Sequence, residues 1–130
     1  MVNIEKQIDY WIKSAENDIE TAGILIREGR ILHGMFFCHL TIEKAIKSLY
    51  VNERKNYAPK THNLIFLSEK ANIKLNQDQE IFVGILMKYQ LEGRYPDYDP
   101  IIPSIDLANY YLNQTKIGRA SCRERVCVGV

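Results

Sequence analysis

The sequence predicts an all-α fold, an up-and-down bundle of four to five helices. Three observations carry this. Apolar residues recur at steps of three and four over long stretches. Gly and Pro are few, seven and four in 130 residues. No segment alternates apolar and polar residues as a half-buried strand would.

The first helix gives the clearest signal. Ile4, Ile8, Trp11, Ile12, Ala15, Ile19, Ala22 and Ile26 form one apolar stripe over six turns. Gly29 ends it. A second helix is expected at about 31–52, with Ile31, Met35, Ile42, Ile46 and Leu49 along one side and Phe36, Leu40 and Tyr50 flanking. The short break at Gly29-Arg30 folds the pair into an antiparallel hairpin. A polar connection over 53–60 leads to Thr61, read as the N-cap of a third, shorter helix carrying Leu64, Leu67 and Ala71. Residues 72–78 read as a turn, and a fourth helix follows at about 79–92 with Ile81, Phe82, Ile85, Leu86 and Tyr89 on one face. Gly93 and Pro96 stop it. Pro96 and Pro100 stiffen the loop from Gly93 to Pro100. Ser104 caps a fifth helix with Ile105, Ala108 and Leu112 inward. Trp11, Phe36, Tyr50 and Phe82 are expected to dominate the core.

Composition fits one domain: 46% of residues are hydrophobic and 25% charged. The N-terminus shows no basic start followed by an apolar run and a cleavage site, so no signal peptide is read. No stretch approaches the roughly 18 apolar residues of a membrane span. The expectation is a soluble, cytoplasmic protein with no membrane partner.

The stretch 117–130 stands apart from residues 1–116, because the helical periodicity lapses after Lys116. Ile117 to Cys127 resembles one reading frame of a sequencing-adapter oligonucleotide, so 117–130 is read as a non-native tail and the natural chain as continuing differently. Leaving out Arg119, Arg123, Arg125 and Glu124 takes Lys+Arg from 17 to 14, Asp+Glu from 16 to 15 and the net charge from +1 to −1. No overall basic field remains to attract nucleic acid. Of three cysteines only Cys38 is left, too few for an internal disulfide or a zinc site.

Four places could carry chemistry. His39, Glu43 and Lys47 lie at i, i+4 and i+8, one row of the second helix. The row reads either as a helix-stabilising Glu–Lys pair beside a core histidine, or as a polar line facing a cleft where Lys47 meets an anion. Asp18 sits on the rim of the first apolar stripe and needs a partner. His62, just after Thr61, falls in the first turn of the third helix, where the dipole disfavours the imidazolium and suits a general base. Arg94, with Tyr95 and Tyr98 beside it, is placed to grip a phosphate or stack on a base; alternatively it pairs with Asp97 or Asp99. There is no glycine-rich phosphate loop, His-Glu-x-x-His or Gly-x-Ser-x-Gly, and neither a metal nor another cofactor is expected.

From Trp11 to Asp99 the chain resembles the HEPN domain family. The matching residues are Trp11, Ala15, Asp18 and Ala22; Gly34 to Phe36; Thr41-Ile42-Glu43-Lys44-Ala45-Ile46-Lys47; Thr61-His62-Asn63-Leu64; and Arg94-Tyr95-Pro96-Asp97. The resemblance implies a helical bundle that dimerises, themes of nucleotide binding and RNA cleavage, and a nucleotidyltransferase partner in a toxin–antitoxin-like pair. The nuclease branch carries Arg, four to six residues, then His near the last helices. No histidine follows Arg94 here, and Arg27 and His33 straddle the Gly29 break. Two mechanisms are expected from this. In one, His62 and Arg94 are the catalytic pair of a metal-independent ribonuclease. In the other, Arg94, Lys47, Glu43, His39, Tyr95 and Asp97 bind nucleotide or RNA, or serve a partner, without catalysis. A purely structural helical partner protein is the third possibility.

Overall fold

The computed structural model describes residues 3–128. Residues 1, 2, 129 and 130 and the side chains at 127 and 128 lie outside the described part. Five helices follow in order: α1 (Ile4–Arg27), α2 (Ile31–Arg54), α3 (Leu64–Lys70), α4 (Gln77–Met87) and α5 (Ile105–Val128). Among the described residues there is no strand, and no helix is long and apolar enough to cross a membrane.

Side-chain pairings fix the helix directions. Ile26 faces Gly34, Asp18 meets Lys44 and Trp11 lies under Lys47, so α1 and α2 run antiparallel. Gly29 makes the turn at φ +82°, a conformation that costs glycine nothing. Gly23 faces Leu112 and Glu16 meets Arg119, so α5 is antiparallel to α1, while Gly118 packs on Ile42 alongside α2. The two short helices close the bundle at the far end of α2. There Arg54 Nε donates to the Lys70 carbonyl at 2.8 Å and Asn72 Nδ2 to Glu53 at 2.8 Å.

The α1 stripe points inward as expected: Ala15, Ile19, Ala22 and Ile26 are buried. The core, however, is aliphatic. Ile26, Met35, Leu64, Leu67 and Leu86 fill its centre, whereas Trp11, Phe36, Tyr50 and Phe82 are only partly buried. The reason is close approach at small residues. A Cβ on Gly34 would lie 2.5 Å from Ile26 Cγ1, so the α1–α2 seam has no room for a ring where these two residues meet. Ile105 and Ile81, expected inward, are about half exposed, while Ala108 and Leu112 are buried as expected.

Three boundaries differ from the sequence reading. Asn63, not Thr61, caps α3: its Oδ1 accepts from Phe66 N at 3.0 Å, and Thr61 Oγ1 accepts from Asn63 N at 3.2 Å. His62 therefore precedes the helix, and the helix-dipole argument for it does not hold. α4 starts at a capping box between Asn76 and Gln79 and ends at Met87, five residues earlier than expected. The carbonyls it leaves free are taken by the loop that follows: Arg94 reaches Met87 and Gln90, and the Tyr98 hydroxyl donates to Lys88. Finally, α5 runs on past Lys116, with Cys122 and Val126 packed against the core and Arg119 and Arg123 facing Glu16.

Candidate functional site

The row on α2 lies inside the protein. His39 is fully buried and Glu43 and Lys47 nearly so. Lys47 Nζ donates to Glu43 Oε2 at 3.1 Å and stands over the Trp11 ring, 5.1 Å from its centroid. The i,i+4 Glu–Lys pair read from spacing is thus present, but desolvated. On its other side Glu43 Oε1 accepts from His62 Nδ1 at 2.8 Å. The carboxylate is the centre of the cluster.

His39 approaches the same residues differently. Its Nε2 lies 3.2 Å from the His62 carbonyl oxygen, which can only accept, so Nε2 carries the hydrogen. Its Nδ1 is buried without a hydrogen-bond partner, 3.8 Å from Glu43 Oε1. Burial holds the His39 pKa below its ordinary 6.5, against the opposing pull of the Glu43 charge. The 3.8 Å approach is therefore not an ion pair: the ring is neutral and Nδ1 presents a lone pair.

His62 links this interior to the surface, with its side chain 46% exposed. With Nδ1 donating inward, Nε2 points outward and lies 3.4 Å from Glu92 Oε2, a pair that is attractive only when the ring carries its second proton. Glu92 N in turn donates to Gln90 Oε1 at 2.6 Å. Two residues on, Arg94 is held at the start of the proline-rich loop. Its Nε donates to the Gln90 carbonyl at 2.7 Å, its Nη2 reaches Met87 O at 3.4 Å, and its guanidinium lies 4.3 Å from the Tyr98 ring centroid. The expected alternative, an Arg94 pair with Asp97 or Asp99, is not formed among the described residues. Tyr95, 80% exposed, and Asp97 project from the loop into solvent.

Asp18 finds its partner in Lys44, Nζ to Oδ2 2.6 Å, which ties α1 to α2 as a structural contact. A groove of about 650 Å³ between α1 and α5, lined in part by Glu16, Arg27, Lys116 and Arg123, shares no residue with the His62 surface. Among the described residues no three His, Cys, Asp or Glu side chains are grouped to hold a metal ion.

A family model matches most of the chain. The HEPN domain model covers residues 8–120. The chain belongs to the HEPN domain family. TT1696 from Thermus thermophilus has the same fold: its crystal structure superposes with a TM-score of 0.76, over 92% of this chain and 98% of that one, at 20% identity. No curated protein matches the sequence.

In this HEPN domain the fold brings His39, Glu43, Lys47 and His62 into contact and sets His62 against the loop that carries Arg94. It leaves Tyr95 and Asp97 on the outer side of that loop. Sequence reasoning missed Glu92 and Gln90, which connect His62 to the loop, and Trp11 as the platform under Lys47. Glu92 is two positions from Arg94, yet nothing in its spacing links it to a histidine thirty residues earlier. Only the packing of α4 against α3 does so.

Proposed function

We propose that this HEPN protein binds or acts on nucleotide or RNA at the surface shared by His62 and the loop from Glu92 to Asp97. The observation that carries the reading is the 3.4 Å contact between His62 Nε2 and Glu92. It brings His62 against the residue two positions before Arg94, at the entry to the loop. Arg94 supplies a guanidinium preorganised by two carbonyls and an aromatic face, suited to a phosphate. His62 supplies a ring nitrogen, and Tyr95 an exposed ring on which a base can stack. His39, Glu43 and Lys47 act from behind His62. A homodimer, a nucleotidyltransferase partner in a toxin–antitoxin-like pair and a cytoplasmic setting belong to the same proposal.

The hydrogen bond from His62 Nδ1 to Glu43 favours a second reading, metal-independent cleavage of RNA. His62 Nε2 would take the 2′-hydroxyl proton as the 2′-oxygen bonds to phosphorus. The P–O5′ bond would break, with water protonating the leaving 5′-oxygen, and Arg94 would stabilise the charge on the phosphorane.

The test is a mixed-sequence RNA in excess chelator, read by fluorescence anisotropy and by gel, with wild type, His62→Ala and Arg94→Ala. Binding that weakens in both variants supports the site. Cleavage by wild type that is lost in both adds the nuclease role. RNA binding equal in all three proteins overturns the proposal.

A further inference from the structure

We infer that Glu43 and His39 are positioning residues that fix the ring and backbone of His62, so that Nε2 is the lone-pair nitrogen on the outer side, beside Glu92, when the ring is neutral. The inference rests on the reading that His62 meets the ligand, and it gives the buried row a role that contact with a ligand cannot supply.

The geometry is a two-point hold from a single helix face. Glu43 Oε1 takes the Nδ1 hydrogen of His62 at 2.8 Å, and His39 Nε2 donates to the His62 main-chain oxygen at 3.2 Å. A carboxylate can only accept, so while Glu43 is ionised Nδ1 must be the protonated nitrogen. His39 suits its part because burial keeps it neutral and its single N–H is committed to the carbonyl. Lys47 completes the arrangement by satisfying Glu43 Oε2, the oxygen that His62 does not use.

Stability alone gives a poor account of this cluster. A buried ion pair is often no better than apolar side chains of the same volume, since desolvation offsets the attraction. Here the helix places three polar side chains beneath a residue that is itself outside any helix. His62 has no secondary structure to orient it, and α2 supplies what the loop lacks. A histidine whose other nitrogen is held by a carboxylate is fixed in both tautomer and ring orientation.

The experiment is long-range ¹H–¹⁵N NMR of the histidine rings in the full chain at pH about 8.5, above the ordinary histidine pKa of roughly 6.5. Wild type, Glu43→Gln, His39→Gln, His39→Leu and Glu92→Gln are compared, each also titrated with the RNA used above. Wild-type His62 is expected in a single Nδ1–H form. Glu43→Gln, which keeps the volume, should convert it to a mixture of tautomers. His39→Leu should split or broaden the His62 signals, and His39→Gln, which retains a donor, should restore them. Glu92→Gln should leave His62 in the Nδ1–H form, because the 2.8 Å bond to Glu43 is closer than the 3.4 Å approach of Glu92 and a glutamine amide can donate to the Nε2 lone pair. A wild-type His62 in the Nε2–H form, or an unchanged tautomer in Glu43→Gln, overturns the inference. These outcomes are separate from the functional reading. If His62→Ala binds RNA as wild type does, the site fails while the tautomer result stands.

Discussion

Replacing Glu43 by Leu strands the Lys47 ammonium in a position where its side chain is 8% exposed and has no other acceptor among the described residues. Were the pair solvated, its loss would cost about 0.2–1 kcal/mol. Because both side chains are nearly buried, the expected cost is that of breaking a buried pair, about 3–5 kcal/mol. Lys47→Met should cost less, about 1–3 kcal/mol, since His62 Nδ1 still donates to the remaining carboxylate. The double variant, Glu43→Leu with Lys47→Met, removes both charges and leaves apolar volume against Trp11. It should lie within about 2 kcal/mol of wild type, well above the sum of the single losses. Urea denaturation at pH about 7.5 measures this directly. With a slope of about 1.5–2 kcal/mol per molar urea, Glu43→Leu should lower the midpoint by roughly 2 M, and the double variant should recover most of it. Single effects that simply add in the double variant would rule out a desolvated pair as the cause, as would a Glu43→Leu cost below about 1 kcal/mol.

Gly34→Ala should destabilise by about 1–3 kcal/mol, although alanine is the better helix former, because the new methyl would meet Ile26 Cγ1 at 2.5 Å and the Ala22 carbonyl at 3.3 Å; a thermal melt at or above the wild-type midpoint would contradict the close α1–α2 seam. Asn63→Ala removes the acceptor for Phe66 N and should cost about 1 kcal/mol, whereas Thr61→Ala should cost less, a ranking that paired urea melts can reverse. For His39 the folded pKa lies below the unfolded 6.5, so below that pH the unfolded chain binds more protons and stability falls on acidification. That component, at most about 1.4 kcal/mol per pH unit, should vanish in His39→Gln; equal losses between pH about 7.5 and 5.5 in both proteins would count against a buried neutral imidazole.

The helices were legible where one face is buried over many turns. The α1 stripe from Ile4 to Ile26 and the buried Leu64, Leu67 and Ala71 follow from spacing alone. Boundaries were less so, because they are settled by side chains that compete for the same backbone groups. Thr61 and Asn63 are both capable caps, and the choice depends on which one reaches Phe66 N. The end of α4 depends on Arg94 and Tyr98 taking carbonyls from further along the chain, which no local pattern announces. The expectation of an aromatic core failed because ring size says nothing about how closely Gly34 lets two helices approach. In the site, the His39–Glu43–Lys47 alignment followed from helical period, but its burial did not. All three are polar, and it takes Trp11 on α1 and the His62 loop, both packed against α2, to turn a surface row into an internal one. The meeting of His62 with Glu92 is a tertiary contact across α3 and α4, beyond the reach of any sequence window.

Whether His62 and the Arg94 loop form one ligand-facing surface is decided by ¹H–¹⁵N chemical-shift mapping while a short mixed-sequence RNA is titrated into the full chain. Perturbations are expected to centre on residues 61–63 and 92–98, with smaller ones spreading to Glu43 and His39 through the His62 hydrogen bonds. Perturbations confined to the α1–α5 groove around Glu16 and Arg27, with His62 and Arg94 unmoved, would contradict the proposed site.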